Sequence, residues 1–256
     1  FSLPTKGDED ITKSVPLALQ RLFILMQKST YSPSTSQLTT AFGWSKKDLF
    51  QQNDVQEFMT VFINNLKDKM KETENQDAIS RLFDGKFIHF INGLEIEYTS
   101  ENKEDFNIIS LDIQGKSSLK ESLNSLVQAD MLIDDKKYKI EGYGYIDAFK
   151  GNQFLELPPV LHFHLKRYAF NMYIGATKIN SRYEFPFELD MSQYMSTKIK
   201  NDERYKYELF SVLVHAGGAQ FGHYYAYIRP TVDRKWFKFN DEIVSVVSEE
   251  AAINDN

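Results

Sequence analysis

His223 stands in Gly222-His223-Tyr224-Tyr225-Ala226-Tyr227-Ile228, and Phe239-Asn240-Asp241 follows a little downstream. A histidine that is to act as a base needs its second ring nitrogen held by an acceptor, which fixes the tautomer it presents. Asn240 or Asp241 can supply that acceptor if the two segments fold as neighbouring strands. The thiol that such a base would activate is absent, because the 256 residues contain no cysteine. The same residues also read as an ordinary β-hairpin with a satisfied histidine and a polar turn. Spacing alone leaves both readings open.

The stretch before the histidine, His215 to Gly222, is a glycine-rich loop joining two apolar strands, of the kind that brings backbone N–H groups close to a bound peptide. Asp54 and Glu57 lie three apart at a helix start, on one side of its first turn. They read as a capping pattern around Asn53 and Gln56, or as two carboxylates that grip an arginine of a partner. His162 and His164 fall on one face of a strand. No third ligand is near them in sequence and no HExxH pattern exists, so strand histidines are the simpler reading and no metal site is assigned.

These groups must be positioned by two kinds of element. In the first third, Ser14 is placed to cap a helix with Pro16 in its first turn, and Val15, Leu19, Leu22, Phe23 and Met26 form its apolar stripe. A second helix starts near Asn53 with Val55, Phe58, Met59, Phe62 and Leu66 as its stripe. Lys67, Lys69 and Lys71 gather at its end, where cations suit the dipole. From Lys86 the period changes to that of strands. Phe87–Ile91 and Leu94–Tyr98 flank Asn92-Gly93, which predicts a hairpin with a type I′ turn. Phe106–Ile113 reads as a strand and Ser118–Val127 as a short helix. Further strands are expected at Gln153–Leu157, Val160–Tyr168, Tyr207–His215, His223–Ile228 and Lys235–Phe239, with a helix beginning near Ser248. The class is α+β, with a helical portion (1–85) followed by a β-rich one (86–256).

Composition narrows the function classes. A chain with 42% hydrophobic and 14% aromatic residues is globular. The net charge is −6, and basic residues come at most in adjacent pairs, so nucleic acid is not an expected partner and a basic peptide is a better electrostatic match. No run approaches the ~20 apolar residues of a membrane span, and the first residues lack a signal-peptide pattern. No membrane association and an intracellular location, in nucleus or cytoplasm, are the expectations. Without cysteine there is neither a disulfide scaffold nor a cysteine-based zinc site.

Four motifs in order resemble the ubiquitin-specific protease family of cysteine peptidases. They are Gln51-Gln52-Asn53-Asp54-Val55-Gln56-Glu57-Phe58; Leu157-Pro158-Pro159-Val160-Leu161 with Leu165-Lys166-Arg167-Tyr168; Gly222-His223-Tyr224-Tyr225-Ala226-Tyr227; and Trp236-x-x-Phe239-Asn240-Asp241. Lys13 to Phe23 and Phe42-Gly43-Trp44 bring the chain near the herpesvirus-associated members of that family.

The resemblance implies a papain-like hand, with a helical thumb, a β-rich palm and β-fingers. It implies hydrolysis of the bond after the C-terminal glycine of ubiquitin, with ubiquitin and ubiquitinated proteins as partners and no cofactor. His223 becomes the base and Asn240 its orienter, with Asp241 in support. His215 and Tyr224 match positions lining the channel for the glycine tail, and Asp54, Gln56 and Glu57 match positions that contact ubiquitin's tail. The family's cysteine box and final strand do not occur in this sequence. The expectation is therefore a thumb completed by a box lying upstream of Phe1, zinc-free fingers, and no hydrolysis by these 256 residues alone. The other class of reading is a pseudoenzyme that binds ubiquitin without cleaving it.

Overall fold

Ser14 holds an extended backbone (φ −118°, ψ 103°), and Pro16 in the first turn supplies the preset φ that starts α1, Val15–Lys28. The structure is a computed structural model, and it describes residues 10–43, 55–71, 73–173, 175–196, 203–219, 221–230 and 234–255. Trp44 and the segment Gln51–Asp54 lie outside the described residues, and so does the start of the second helix near Asn53.

The chain divides into two units, Phe1–Asp84 with Pro158–His162, and Gly85–Leu157 with Phe163–Asn256. In the first, α1 is followed by α2 (Ser36–Ala41), α3 (Val55–Met70) and α4 (Ala78–Phe83). Val15, Leu19, Ile63, Leu66, Met70 and Ile79 form its core, with Leu38, Phe42, Met59 and Phe62 packed around them. The α1 stripe is covered only in its first half. Val15 is buried, whereas Phe23 is 38% and Met26 60% exposed. On α3 the inward stripe runs through Ile63 and Met70 rather than ending at Leu66. Lys67 does more than face the dipole, since its Nζ pairs with Asp84 Oδ1 at 2.5 Å.

The second unit contains, in chain order, β1 (Gly85–Gly93), β2 (Thr99–Phe106), β3 (Ile109–Asp112), α5 (Leu119–Val127), β4 (Asp130–Leu132), β5 (Tyr138–Ile140), β6 (Gly144–Ile146), β7 (Ala148–Glu156) and β8 (Phe163–Lys166). It continues with β9 (Tyr168–Asn171), β10 (Gly175–Lys178), β11 (Glu188–Asp190), β12 (Lys206–Glu208), β13 (Ser211–Gly217), β14 (Gly222–Ile228), β15 (Trp236–Asn240), β16 (Ile243–Val247) and α6 (Glu249–Asn254). Two antiparallel four-stranded sheets, ordered β2-β1-β7-β4 and β13-β14-β15-β16, carry most of the unit. Ser118 caps α5 by accepting from Glu121 N at 3.3 Å.

The hairpin expected at Asn92-Gly93 forms in another register. Asn92 pairs with Thr99, so the reversal runs through 94–98, and the returning strand is the polar Thr99–Phe106 rather than Leu94–Tyr98. Neither Asn92 nor Gly93 has the positive φ that a type I′ turn demands. The reason is tertiary: β1 is a central strand, and β7 continues to pair with Asn92 and Gly93 through Phe149 and Ala148. Phe87, Phe106 and Phe154 then close over one another, with Phe87 and Phe154 ring centroids 4.3 Å apart.

The strand expected over Val160–Tyr168 is shorter. Phe163–Lys166 pairs parallel to β3, Tyr168 already belongs to β9 and pairs with Lys178, and His162 belongs to the helical unit, stacked on Phe83 at 5.4 Å. The strand expected across Phe106–Ile113 is likewise broken, because Phe106 ends β2 and Ile109 begins β3.

Candidate active site

β14 and β15 position the candidate base. Period-2 alternation puts His223, Tyr225 and Tyr227 on one face of β14, and the register Tyr227↔Lys238 puts Lys238 and Asn240 on the same face of the sheet. That face is the packed one. Tyr227, Trp236 and Ala252 are buried there, with Val212, Val214 and Phe187 around them. His223 sits at its open end, with 47% of its side chain exposed. The opposite face of the sheet leaves Leu213, Phe239, Val244 and Val246 largely exposed.

His223 Nε2 lies 2.5 Å from Asn240 Oδ1. A carbonyl oxygen only accepts, so Nε2 carries the proton and Nδ1 presents the lone pair. Asp241 Oδ2 is 3.8 Å from the same nitrogen. Asp241 has φ 52°, a left-handed conformation that Asp tolerates better than most side chains, and it starts the turn into β16. The arrangement is that of a base with its orienter and a nearby carboxylate. In this geometry the ring can accept a proton at Nδ1 while Asn240 holds Nε2.

His215 and Tyr224 form a second cluster. They are directly paired across β13 and β14, with ring centroids 4.6 Å apart. Because Ala216, not His215, is opposite His223, this pair occupies the other face of the strands from the base. Gly222 makes the join possible. A Cβ there would lie 2.1 Å from His215 Nε2 and 2.4 Å from Ala216 O, so only glycine lets the two strands and the ring come this close. Burial, then the Lys178 charge, lowers the His215 pKa from its ordinary value and favours the neutral ring.

Gln56 and Glu57 open α3 in the helical unit, Glu57 in its acidic first turn and exposed. Asp54 lies outside the described residues. His164 Nδ1 meets Ser110 Oγ at 3.4 Å, and no group of three or more potential metal ligands occurs among the described residues.

A family model described as ubiquitin carboxyl-terminal hydrolase matches residues 3–256. The chain belongs to that family. Among curated ubiquitin carboxyl-terminal hydrolases it is 42% identical over 250 residues to Ubiquitin C-terminal hydrolase 12 of Arabidopsis thaliana, covering 96% of this chain and 22% of the relative. It is 40% identical over 257 residues to Ubiquitin carboxyl-terminal hydrolase 15 of Schizosaccharomyces pombe, covering 100% of this chain and 23% of the relative. The chain thus spans between a fifth and a quarter of the length of these relatives. Its fold is similar to a chain in the SAGA Ubp8/Sgf11/Sus1/Sgf73 DUB module bound to ubiquitin aldehyde, with TM-score 0.82, 26% identity, and coverage of 97% of this chain and 58% of that one. A SAGA DUB module bound to monoubiquitin gives TM-score 0.83 at 27% identity, over 96% of this chain and 57% of that one.

Two features of this ubiquitin carboxyl-terminal hydrolase chain carry no signal in its motifs. Lys178, in β10, reaches the end of β13 with its ammonium. Asp255, just past α6, accepts from the Tyr225 and Tyr227 hydroxyls and pairs with Lys238 at 3.4 Å. Lys238 in turn lies over the Tyr225 ring at 4.0 Å. Burial first, then the Asp255 carboxylate, pushes the Tyr225 hydroxyl up to about 12. The alternation of Tyr225 and Tyr227 revealed which face they share, but nothing local to Lys178 or Asp255 announced a partner.

Proposed function

We propose that this chain supplies the base, its orienter and the tail-binding surface of a thiol-dependent deubiquitinase, which hydrolyses the bond after the C-terminal glycine of ubiquitin. The observation that carries the reading is the 2.5 Å His223 Nε2–Asn240 Oδ1 hydrogen bond, held on adjacent strands of a ubiquitin carboxyl-terminal hydrolase family chain. His223 Nδ1 takes the proton of a cysteine thiol, and the thiolate attacks the glycine carbonyl carbon. The imidazolium, stabilised by Asn240, returns the proton to the departing amine. Water then adds to the thioester with His223 again as base, releasing the glycine carboxylate and the free thiol.

The thiol comes from outside the 256 residues, which contain no cysteine. Ubiquitin and ubiquitinated proteins are the partners. The names of the relatives, the ubiquitin-bound DUB modules of similar fold, and a net charge of −6 facing a basic tail support this. His215 and Tyr224 line the glycine-tail channel, and Asp54, Gln56 and Glu57 contact ubiquitin's C-terminal tail. The work is intracellular, in nucleus or cytoplasm.

The absent cysteine also favours a second reading, a ubiquitin-binding pseudoenzyme. The protein carrying this sequence, tested on a fluorogenic amide of ubiquitin's C-terminus, separates the two. Hydrolysis that falls on the order of 10⁴-fold or more in His223→Ala supports the enzyme. Ubiquitin binding without turnover supports the pseudoenzyme, and a protein that neither binds nor cleaves sinks both.

A further inference from the structure

Lys178 is the last residue of β10, directly opposite Tyr168 on β9. Its Nζ lies 3.0 Å from His215 Nδ1, 2.6 Å from the His215 carbonyl and 2.9 Å from the Gly217 carbonyl. An ammonium has three N–H donors, and these three acceptors match them in number. Tyr168 adds its hydroxyl to the same His215 Nδ1 at 3.1 Å.

The three acceptors come from one short stretch at the end of β13, where the loop to His223 departs. Gly217 there has φ 108°, a conformation open to glycine, and a Cβ would meet Phe221 O at 2.6 Å. The turn closes through Gly218 N donating to Phe221 O at 2.8 Å, and Gly217 pairs with Gly222 across it. A side chain from another hairpin thus grips the last residues of β13, where the loop begins whose far end carries His223.

Resting on the deubiquitinase reading above, we propose that Lys178 is a positioning residue for the substrate's glycine tail, locking the His215 ring and the root of the 217–222 loop in the geometry that receives it. As a donor to Nδ1, the ammonium leaves the ring proton on His215 Nε2 and selects that tautomer. Among the described residues, the groups facing His215 are Lys178 from β10, Tyr168 from β9 and Tyr224 from β14. Of these, Lys178 is the one standing cation, and it opposes a second positive charge on the ring. Lys178 is itself partly desolvated, with the Arg167 charge also favouring its neutral form, so the contact draws on charge-assisted hydrogen bonds of low exposure. The end of the β9–β10 hairpin and the loop root thereby behave as one piece.

The test uses Lys178→Met and Lys178→Arg in the protein carrying this sequence. KM and kcat are measured on the fluorogenic ubiquitin amide, and Kd for free ubiquitin is measured in the His223→Ala background. Methionine keeps the stem but removes charge and donors, and both KM and Kd rise roughly tenfold. kcat changes by less than about twofold. The rise of KM on the acid side moves to higher pH, because the charge that opposed His215 protonation has gone. Arginine, which keeps charge and donors, restores most of the loss. Unchanged Kd and KM in Lys178→Met, or an arginine variant as weak as the methionine one, overturns the proposal. Wild-type protein that binds no ubiquitin overturns the deubiquitinase reading instead, so the two failures are told apart.

Discussion

His223 Nε2 and Asn240 Oδ1 are 2.5 Å apart although 17 residues separate them in sequence. The contact exists because β14 and β15 pair in the register Ala226↔Phe239, which brings the end of one strand beside the start of the other. A shift by one residue would turn Asn240 to the opposite face and leave Nε2 without its acceptor.

On the deubiquitinase reading, Asn240→Ala removes the orienter, and kcat on a ubiquitin substrate falls on the order of 10²-fold with KM nearly unchanged. Asn240→Asp keeps an acceptor oxygen and loses much less. Steady-state kinetics of the two variants side by side check this, and equal losses would show that Asn240 acts by packing alone.

Gly222→Ala forces a Cβ to within 2.4 Å of the Ala216 carbonyl, a backbone atom that cannot swing aside. The strand pair must separate, costing about 1–3 kcal/mol and moving the residue next to the base. Both Tm and kcat drop. A variant with wild-type Tm and kcat would mean that the strands do not approach this closely in solution.

Asp255 connects acid sensitivity to α6. Burial raises its pKa, but the Tyr227 and Tyr225 hydroxyls and Lys238 outweigh that and hold it below the ordinary 3.8. A carboxylate depressed in the folded state stabilises above its unfolded pKa, and that contribution disappears as pH falls through the folded one. Asp255→Ala therefore lowers Tm at neutral pH by a few degrees, about 2–4 °C. The gap between variant and wild type closes as pH is brought below the ordinary carboxylate range. A gap that stays constant down to acid pH would remove ionisation from the account.

Glu57 distinguishes capping from recognition. In the first turn of α3 it favours the helix dipole, worth about 0.3–1 kcal/mol, so Glu57→Arg shifts stability slightly. On the reading that it contacts ubiquitin's tail, the same variant raises KM strongly. A stability change of that size with unaltered KM would return Glu57 to the cap.

What the sequence by itself determined was local. Alternation along Gly222–Ile228 put His223, Tyr225 and Tyr227 on one face, and the ordered motifs pointed to the family to which the chain belongs. The helices expected to start near Ser118 and Ser248 form and are capped by those serines, whereas Ser14, read as a cap, makes no side-chain cap hydrogen bond. The apolar run Ile243–Val247, which forms β16, is equally local. Side-chain periodicity and capping are properties of a few consecutive residues, so one strand or turn of sequence suffices to display them.

Only the tertiary structure decided the rest. It chose the register that carries β1 through Asn92-Gly93, because a central strand obeys the neighbour on each side rather than the turn propensity of two residues. It covered the start of the α1 stripe and left Met26 exposed. It also brought Lys178 onto a histidine 37 residues away. A lysine in a short strand looks like any solvated charge until packing removes water around it, and which acceptors then receive its protons depends on how separate hairpins dock.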